Sequence, residues 1–296
     1  MADRHNPRKA ALLRFGPPEV GGSTLQRIRV PLTWLLACAT WLLACALLLP
    51  GIAQGRTPER FDTVVIDAGH GGEDEGAVGT RGTAEKDIVL AVATELAERL
   101  RAHDLRVVLT RDRDVFVPLE RRNALANDAR ADLFISIHAN ASDKREVHGS
   151  ETYFLALDAS DESAAEVAAR ENESFETAAP SELPAMQDPF IALLGDLIST
   201  EYLAESSEFA ALVQKELGSV PRMRSRGVKQ ALFVVLSGVQ MPAALVEIGF
   251  VTNPQDETRL SNAKLRLPIV RSIERAVLSF SRRYDARRRE NAGRSE

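Results

Sequence analysis

TVVIDAGHGG, residues 63–72, decides how the rest of the chain reads. A short β-branched run stops at Asp67, and glycines bracket one histidine. Such a run bounded by glycines predicts a buried strand. Outward from it, strand and helix patterns alternate. DIVLAVATELAERLRAHD (87–104) has helical apolar spacing, with Asp87 read as its N-cap. RVVLTR (106–111) predicts a second strand, and PLERRNALANDAR (118–130) a helix with proline in its first turn. DLFISIHAN (132–140) and GSETYFL (149–155) predict two strands, KQALFVVL (229–236) and AALVEIGFV (243–251) two more. A closing helix is expected over 263–286, with Pro268 near its start. This alternation implies crossover connections. The expected fold class is α/β: a mainly parallel twisted sheet flanked by helices.

Residues 156–220 break the pattern. An acidic, alanine-rich helix is expected from about 161 to 176, then a proline-rich loop, then amphipathic helices in FIALLGDLIST and SEFAALVQKEL. Connections this long are usually functional or disordered, and helical periodicity argues against disorder. The expected organisation is an N-terminal basic segment with an apolar stretch (1–55) and a catalytic domain (61–285). A helical insertion interrupts that domain at about 158–220, and a tail (286–296) follows.

Arg4, Arg8, Lys9, Arg14, Arg27 and Arg29 precede the uncharged PLTWLLACATWLLACALLLPGIA (31–53). A basic region followed by an apolar one is the pattern of an export signal. The stretch is also just long enough to span a bilayer once, as an uncleaved anchor. Either version carries residues 54–296 across the membrane, to a periplasmic or otherwise exported location. Membrane contact is expected only through this segment. Both cysteines, Cys38 and Cys45, lie inside it, so the exported part has no disulfide or thiolate chemistry. Acids outnumber bases by 42 to 37, which gives no bulk case for nucleic-acid binding.

In parallel sheets, ligands gather at the carboxyl ends of strands. His70 follows the first strand and His138 ends the third. His103 reads as a solvated residue at a helix end, and His148 is ambiguous. Two histidines and one carboxylate would make a catalytic zinc set, and Glu85 opens the first helix beside the first strand's end. Glu247 lies in an otherwise apolar strand, where a charge is costly unless paired or functional. From spacing alone, a zinc hydrolase and a set of satisfied structural polar groups both remain open.

Four motifs in order narrow the choice: IDAGHGG (66–72), AEKD (84–87), ISIHAN (135–140) and EIGFVTNPQDETRL (247–260). Together they resemble the zinc-dependent N-acetylmuramoyl-L-alanine amidases of bacterial cell-wall cleavage, over about residues 61–282. The resemblance implies Zn2+ held by His70, Glu85 and His138, with Glu247 as catalytic glutamate. It implies cleavage, in peptidoglycan, of the amide between N-acetylmuramic acid and L-alanine. Asp67 and Asn140 flank the ligands and are candidates to orient them; for Asp67 a turn cap is an equal reading. Ala68 stands where the family frequently has proline. No separate wall-targeting domain is read before residue 61. Division-associated members carry a helical insertion that blocks the zinc until an activator protein docks. By that likeness Glu171 would contact the metal at rest, and apolar helices around 189–217 would receive the partner. A solvated acidic helix is the plain alternative. Two other functions stay open on residues alone: a zinc peptidase acting on wall stem peptides, and a non-catalytic wall-binding module.

Overall fold

The computed structural model describes residues 60–178 and 200–293, with side-chain detail from 60–173 and 202–293. The basic segment, the apolar stretch 31–53 and residues 179–199 lie outside the described residues. No helix among the described residues is long and apolar enough to cross a membrane.

Six strands form one sheet: β1 (Thr63–Ala68), β2 (Arg106–Leu109), β3 (Leu133–Asn140), β4 (Ser150–Leu155), β5 (Ser225–Ala231) and β6 (Ala243–Phe250). Their spatial order is β2-β1-β3-β6-β4-β5. Neighbours run parallel at every pairing except β4 with β6. The helices are α1 (Glu85–Arg101), α2 (Leu119–Asp128), α3 (Glu162–Ala178), α4 (Thr200–Gly218), α5 (Pro254–Ser261) and α6 (Ala263–Gly293).

Side chains alternate across each strand, so the sheet has two interfaces. On one, Val64, Ile66, Ile135, Ile137, Val246 and Ile248 pack against apolar positions of α1, α4 and α6. On the other, Val65, Phe134, Tyr153 and Leu245 pack against residues of α2 and α3. β1, β3 and β6 are buried along their whole length, which is why they read as apolar runs.

The expected α/β fold with a mainly parallel sheet is the one observed. Some local readings differ. The segment read as a strand over 229–236 divides: β5 covers 225–231, and Val234–Leu236 form a single 3-10 turn. Those apolar residues still enter the core, but as a plug beneath α2 and α3 rather than as a strand. Helix α1 starts two residues earlier than Asp87, and its N-cap Ala84 offers no side-chain bond. Backbone carbonyls of Ala77 and Glu75 accept from Glu85 N and Lys86 N instead. The segment expected as an insertion over 158–220 also divides. Helix α4 belongs to the core, with Phe209, Val213 and Leu217 fully buried. Its apolar face is therefore covered by the sheet and α6, and is not a free surface for a partner.

Candidate metal centre and its surroundings

The centre lies where β1, β3 and β6 end, on the α2/α3 side. His70 follows β1 with φ of 59°, a left-handed conformation that non-glycine residues seldom adopt. Two buried arginines hold that turn. Arg122 donates to Ala68 O at 2.6 Å and to His70 O at 2.8 Å. Arg111 donates to Ala68 O at 2.9 Å and to Gly69 O at 2.7 Å. Asp67 is the counter-charge. It is fully buried and accepts from Arg122, Thr110 and Ser136 at 2.8, 2.6 and 2.7 Å. Burial works to raise the Asp67 pKa, but Arg122 and these hydrogen bonds prevail and it lies below the usual value.

The glycines around His70 supply room. A Cβ on Gly69 would sit 2.4 Å from His138 Cε1, and one on Gly76 would sit 2.6 Å from His70 Cδ2. A side chain at Gly69 or Gly76 would thus occupy the space of the two imidazoles, whereas at Gly71 and Gly72, both at positive φ, it would meet Val115 O at 2.3 Å and Phe116 N at 2.7 Å.

His70, Glu85, His138 and Glu171 each bring one ligand atom into a cluster whose atoms all lie within 4.8 Å of one another. His70 Nε2 is 3.3 Å from Glu85 Oε1 and 3.3 Å from Glu171 Oε2. His138 Nδ1 is 3.3 Å from Glu85 Oε1 and 2.7 Å from Glu171 Oε2. Yet His70 Nε2, His138 Nδ1 and Glu171 Oε2 have no hydrogen-bond partner of acceptable geometry. Buried polar atoms without partners are rare, and here they face one point.

The outer contacts set the orientation of these groups. Asp74 holds His70 Nδ1 at 2.9 Å, which leaves the Nε2 lone pair directed at the cluster. Glu85 Oε1 accepts from Ala139 N at 2.7 Å and Oε2 from Ala77 N at 3.0 Å.

Charge fits a dication. Burial favours the neutral carboxyl in Glu85 and Glu171, but the two imidazoles outweigh it and lower both pKa values, that of Glu171 to about 2. Burial likewise disfavours cationic His138, but Glu171 lifts its pKa to about 10. His70 is raised by Glu85 and Asp74 against the same burial cost. Two ionised carboxylates at one buried point require about two positive charges. Without metal the two protonated imidazoles supply them; a divalent cation would take the place of both protons and leave the imidazoles neutral, the state in which imidazole ligates metal.

Glu247 stands directly across from His138 in the β3–β6 register, so both side chains leave the sheet on the same face. It is fully buried and neither carboxylate oxygen has a partner. Burial first, then the nearby Glu171 carboxylate, pushes its pKa well above the usual carboxylate range. On the next strand Glu151 faces it, but Glu151 is neutralised by Arg226 and Lys229 and takes hydrogen bonds from Tyr153 and Asn140. The cluster opens into a cavity of about 660 Å³ whose walls include Val78, Phe116 and Arg170.

The residues expected to meet do so: His70, Glu85, His138 and Glu171 form the cluster, with Glu247 beside it. Asp67 and Asn140 do not touch the ligand side chains. Asp67 acts on the His70 turn through Arg122. Asn140 accepts from Arg170 at 2.6 Å and donates to Glu151 at 3.3 Å. Asp74, Arg111 and Arg122 went unread in the sequence; an acid four residues after His70 was the one local signal for Asp74. His103, expected to be solvated, lies 3.0 Å from Glu274. His148 stands just before β4, away from the cluster.

The Amidase_3 family, N-acetylmuramoyl-L-alanine amidase, matches residues 64–279. N-acetylmuramoyl-L-alanine amidase AmiA of Escherichia coli (strain K12) is 36% identical over 224 residues, 75% of this chain and 77% of that protein. AmiC of Neisseria meningitidis serogroup B is 34% identical, covering 77% of this chain and 56% of that protein. Among solved structures, the amidase from Clostridium difficile 630 is 30% identical with a TM-score of 0.57, covering 75% of this chain and 97% of that one. The catalytic domain of CwlV from Bacillus (Paenibacillus) polymyxa var. colistinus is 28% identical with a TM-score of 0.56, covering 74% and 97%. With the same architecture, and with the family match running from β1 into α6, the chain belongs to the N-acetylmuramoyl-L-alanine amidase family.

Proposed function

We propose that this chain is a zinc-dependent hydrolase of peptidoglycan that cleaves the amide between N-acetylmuramic acid and L-alanine, and that α3 holds it inactive. The observation that carries the reading is the convergence of partnerless ligand atoms from His70, His138 and Glu171 on one point, beside an unpaired Glu247.

His70, Glu85 and His138 would hold the zinc, with Asp74, Ala139 N and Ala77 N fixing their orientation. Bound there, zinc would polarise the scissile carbonyl and acidify a water molecule. Glu247 is the proton carrier. Burial, and then the Glu171 carboxylate, raise its pKa well above the usual carboxylate range, so it holds a proton more readily than an ordinary glutamate; it would take the proton of the attacking water and deliver it to the leaving amine. Arg226 and Lys229 keep Glu151 occupied, so Glu247 is the carboxylate left unpaired next to His138.

Glu171 occupies the place a substrate carbonyl needs. It is carried on α3, which follows β4 and lies over the cluster, and Arg170 ties the same helix to Asn140. Release requires α3 to withdraw. An activator protein docking on the insertion, outside α4, would supply that, as part of cell division or wall turnover in an exported compartment.

Labelled sacculi incubated with zinc and the Glu171→Ala chain, beside the wild type, test the activity. The expected products are peptides with free L-alanine amino termini and intact glycan; cleavage inside the stem peptide instead would establish a peptidase. Glu171→Ala should raise basal release. Unchanged release would remove Glu171 from the inhibitory role.

A further inference from the structure

The last motif continues from Glu247 to Leu260, and the chemistry above uses none of these further residues. Where they go is specific. After β6, Asn253 caps α5 by accepting from Gln255 N and Asp256 N, with Pro254 in the first turn. That cap places the Glu257 side chain, which has no solvent exposure, against the loop that joins the His70 turn to α1. Glu257 Oε1 accepts from Arg81 N at 2.9 Å, and Oε2 accepts from Thr80 Oγ1 at 2.8 Å. Arg81 reaches back over α5 to Pro254 O at 3.0 Å. Gly79 lies so close that a Cβ there would meet Glu257 Oε1 at 2.3 Å.

The other end of this loop touches the metal centre. Ala77 N donates to Glu85 Oε2 at 3.0 Å, and Ala77 O accepts from Glu85 N at 2.8 Å. The loop thus caps α1, which has no side-chain cap of its own, and orients the carboxylate of its first residue. Gly79 N donates to Thr83 O at 2.8 Å and a bridge pairs Val78 with Ala84, so the loop is closed on itself and transmits displacement.

We propose that Glu257 is a positioning residue: it straps the 77–83 loop to α5, and through Ala77 it fixes the orientation in which Glu85 meets the metal. The inference rests on the zinc reading above. Outer partners of metal ligands typically change affinity by about 10–100-fold when removed.

The test is zinc affinity of the full chain in mild detergent, measured by competition with a chromophoric chelator, together with the visible spectrum of the cobalt(II)-loaded chain. Four proteins are compared: wild type, Glu257→Gln, Gly79→Ala and Leu260→Ala. Leu260 is fully buried in the same helix and makes no bond to the loop, so its variant controls for general destabilisation. Glu257→Gln and Gly79→Ala should each weaken zinc binding about 10-fold or more and alter the cobalt bands. Leu260→Ala should lower thermal stability while leaving affinity and spectrum near wild type. If Glu257→Gln does not fold, Gly79→Ala carries the test alone, because it disturbs the strap from the loop side and keeps Glu257 itself. Wild-type affinity in both loop variants, or an equal loss in Leu260→Ala, overturns the assignment. A wild type that binds no zinc overturns it together with the metal reading, whereas zinc binding with unaffected loop variants overturns the strap alone.

Discussion

The two faces of the sheet begin alike and end differently. Towards α1, α4 and α6, the inward residues stay apolar to the last position: Ala68 on β1, Ile137 and Ala139 on β3, Ile248 on β6. Towards α2 and α3, the same strands start apolar, with Val65, Phe134 and Leu245, and finish on Asp67, His138 and Glu247. One face is devoted to cohesion. The other gives up apolar burial over its final turns to bring charge together. That division explains how a site holding several buried ionisable groups survives: along β1, β3 and β6 the apolar face supplies the stability that the polar face lacks, while at β4 Thr152 and Ser150 are satisfied by Gln214 of α4.

The comparison can be broken at several places. The largest effect should come from chelation. In the Glu171→Ala chain, stripping the metal should abolish peptide release, and zinc should restore it, while circular dichroism shows the sheet intact; a collapsed fold would mean that the polar face is held together by metal rather than by its apolar opposite. Next, Glu247→Gln should lower kcat by about 10²–10⁴-fold with zinc content unchanged, as measured by metal analysis and sacculus turnover. Asp67→Asn should destabilise by about 3–5 kcal/mol in denaturant titration, because it leaves Arg122 buried without its counter-charge. Here the sign is fixed by the depressed pKa of Asp67. Its stabilisation is present above pH about 4 and is lost as pH falls through the lower folded value, so the variant should lack that acid-side slope. Ile135→Ala on the apolar face should cost about 2–5 kcal/mol of stability. The specific activity of its folded fraction should stay within about twofold, which is the sharpest test that the two faces divide the labour.

The sequence spoke most clearly where one signal sufficed. Buried parallel strands are nearly continuous apolar runs, so β1, β3 and β6 could be read from composition alone. FVVL carried the same signal and misled, because a short apolar run fits a one-turn plug as well as a strand. Asp87 was read as a cap since caps are usually side chains, yet α1 is capped by the backbone of a loop eight residues upstream. In the site, His70, Glu85 and His138 were legible at strand or helix ends and Glu247 as an acid inside an apolar strand, but it was the four-motif resemblance that joined them into one set. Arg111 and Arg122 were not. They lie on surface-like stretches rich in charge, and only tertiary structure reveals that these two guanidinium groups turn inward to hold the carbonyls of residues 68–70. The insertion was legible as a break in alternation, but not its far boundary, because α4 has the same amphipathic pattern whether its apolar face meets a partner or the protein's own sheet.

Strand order has a consequence in time. β6 is the last strand to be synthesised, yet it sits between β3 and β4, and it brings Glu247 with it. A chain interrupted before residue 243 would leave the edges of β3 and β4 open and would lack the proposed base entirely. Sheet closure must therefore wait for a contact between segments about a hundred residues apart, the kind of pairing that slows folding. A copy truncated before residue 243 carries the proposed ligands His70, Glu85 and His138 without the proposed base, so the order of the strands itself delays the proposed hydrolysis until β6 has been made.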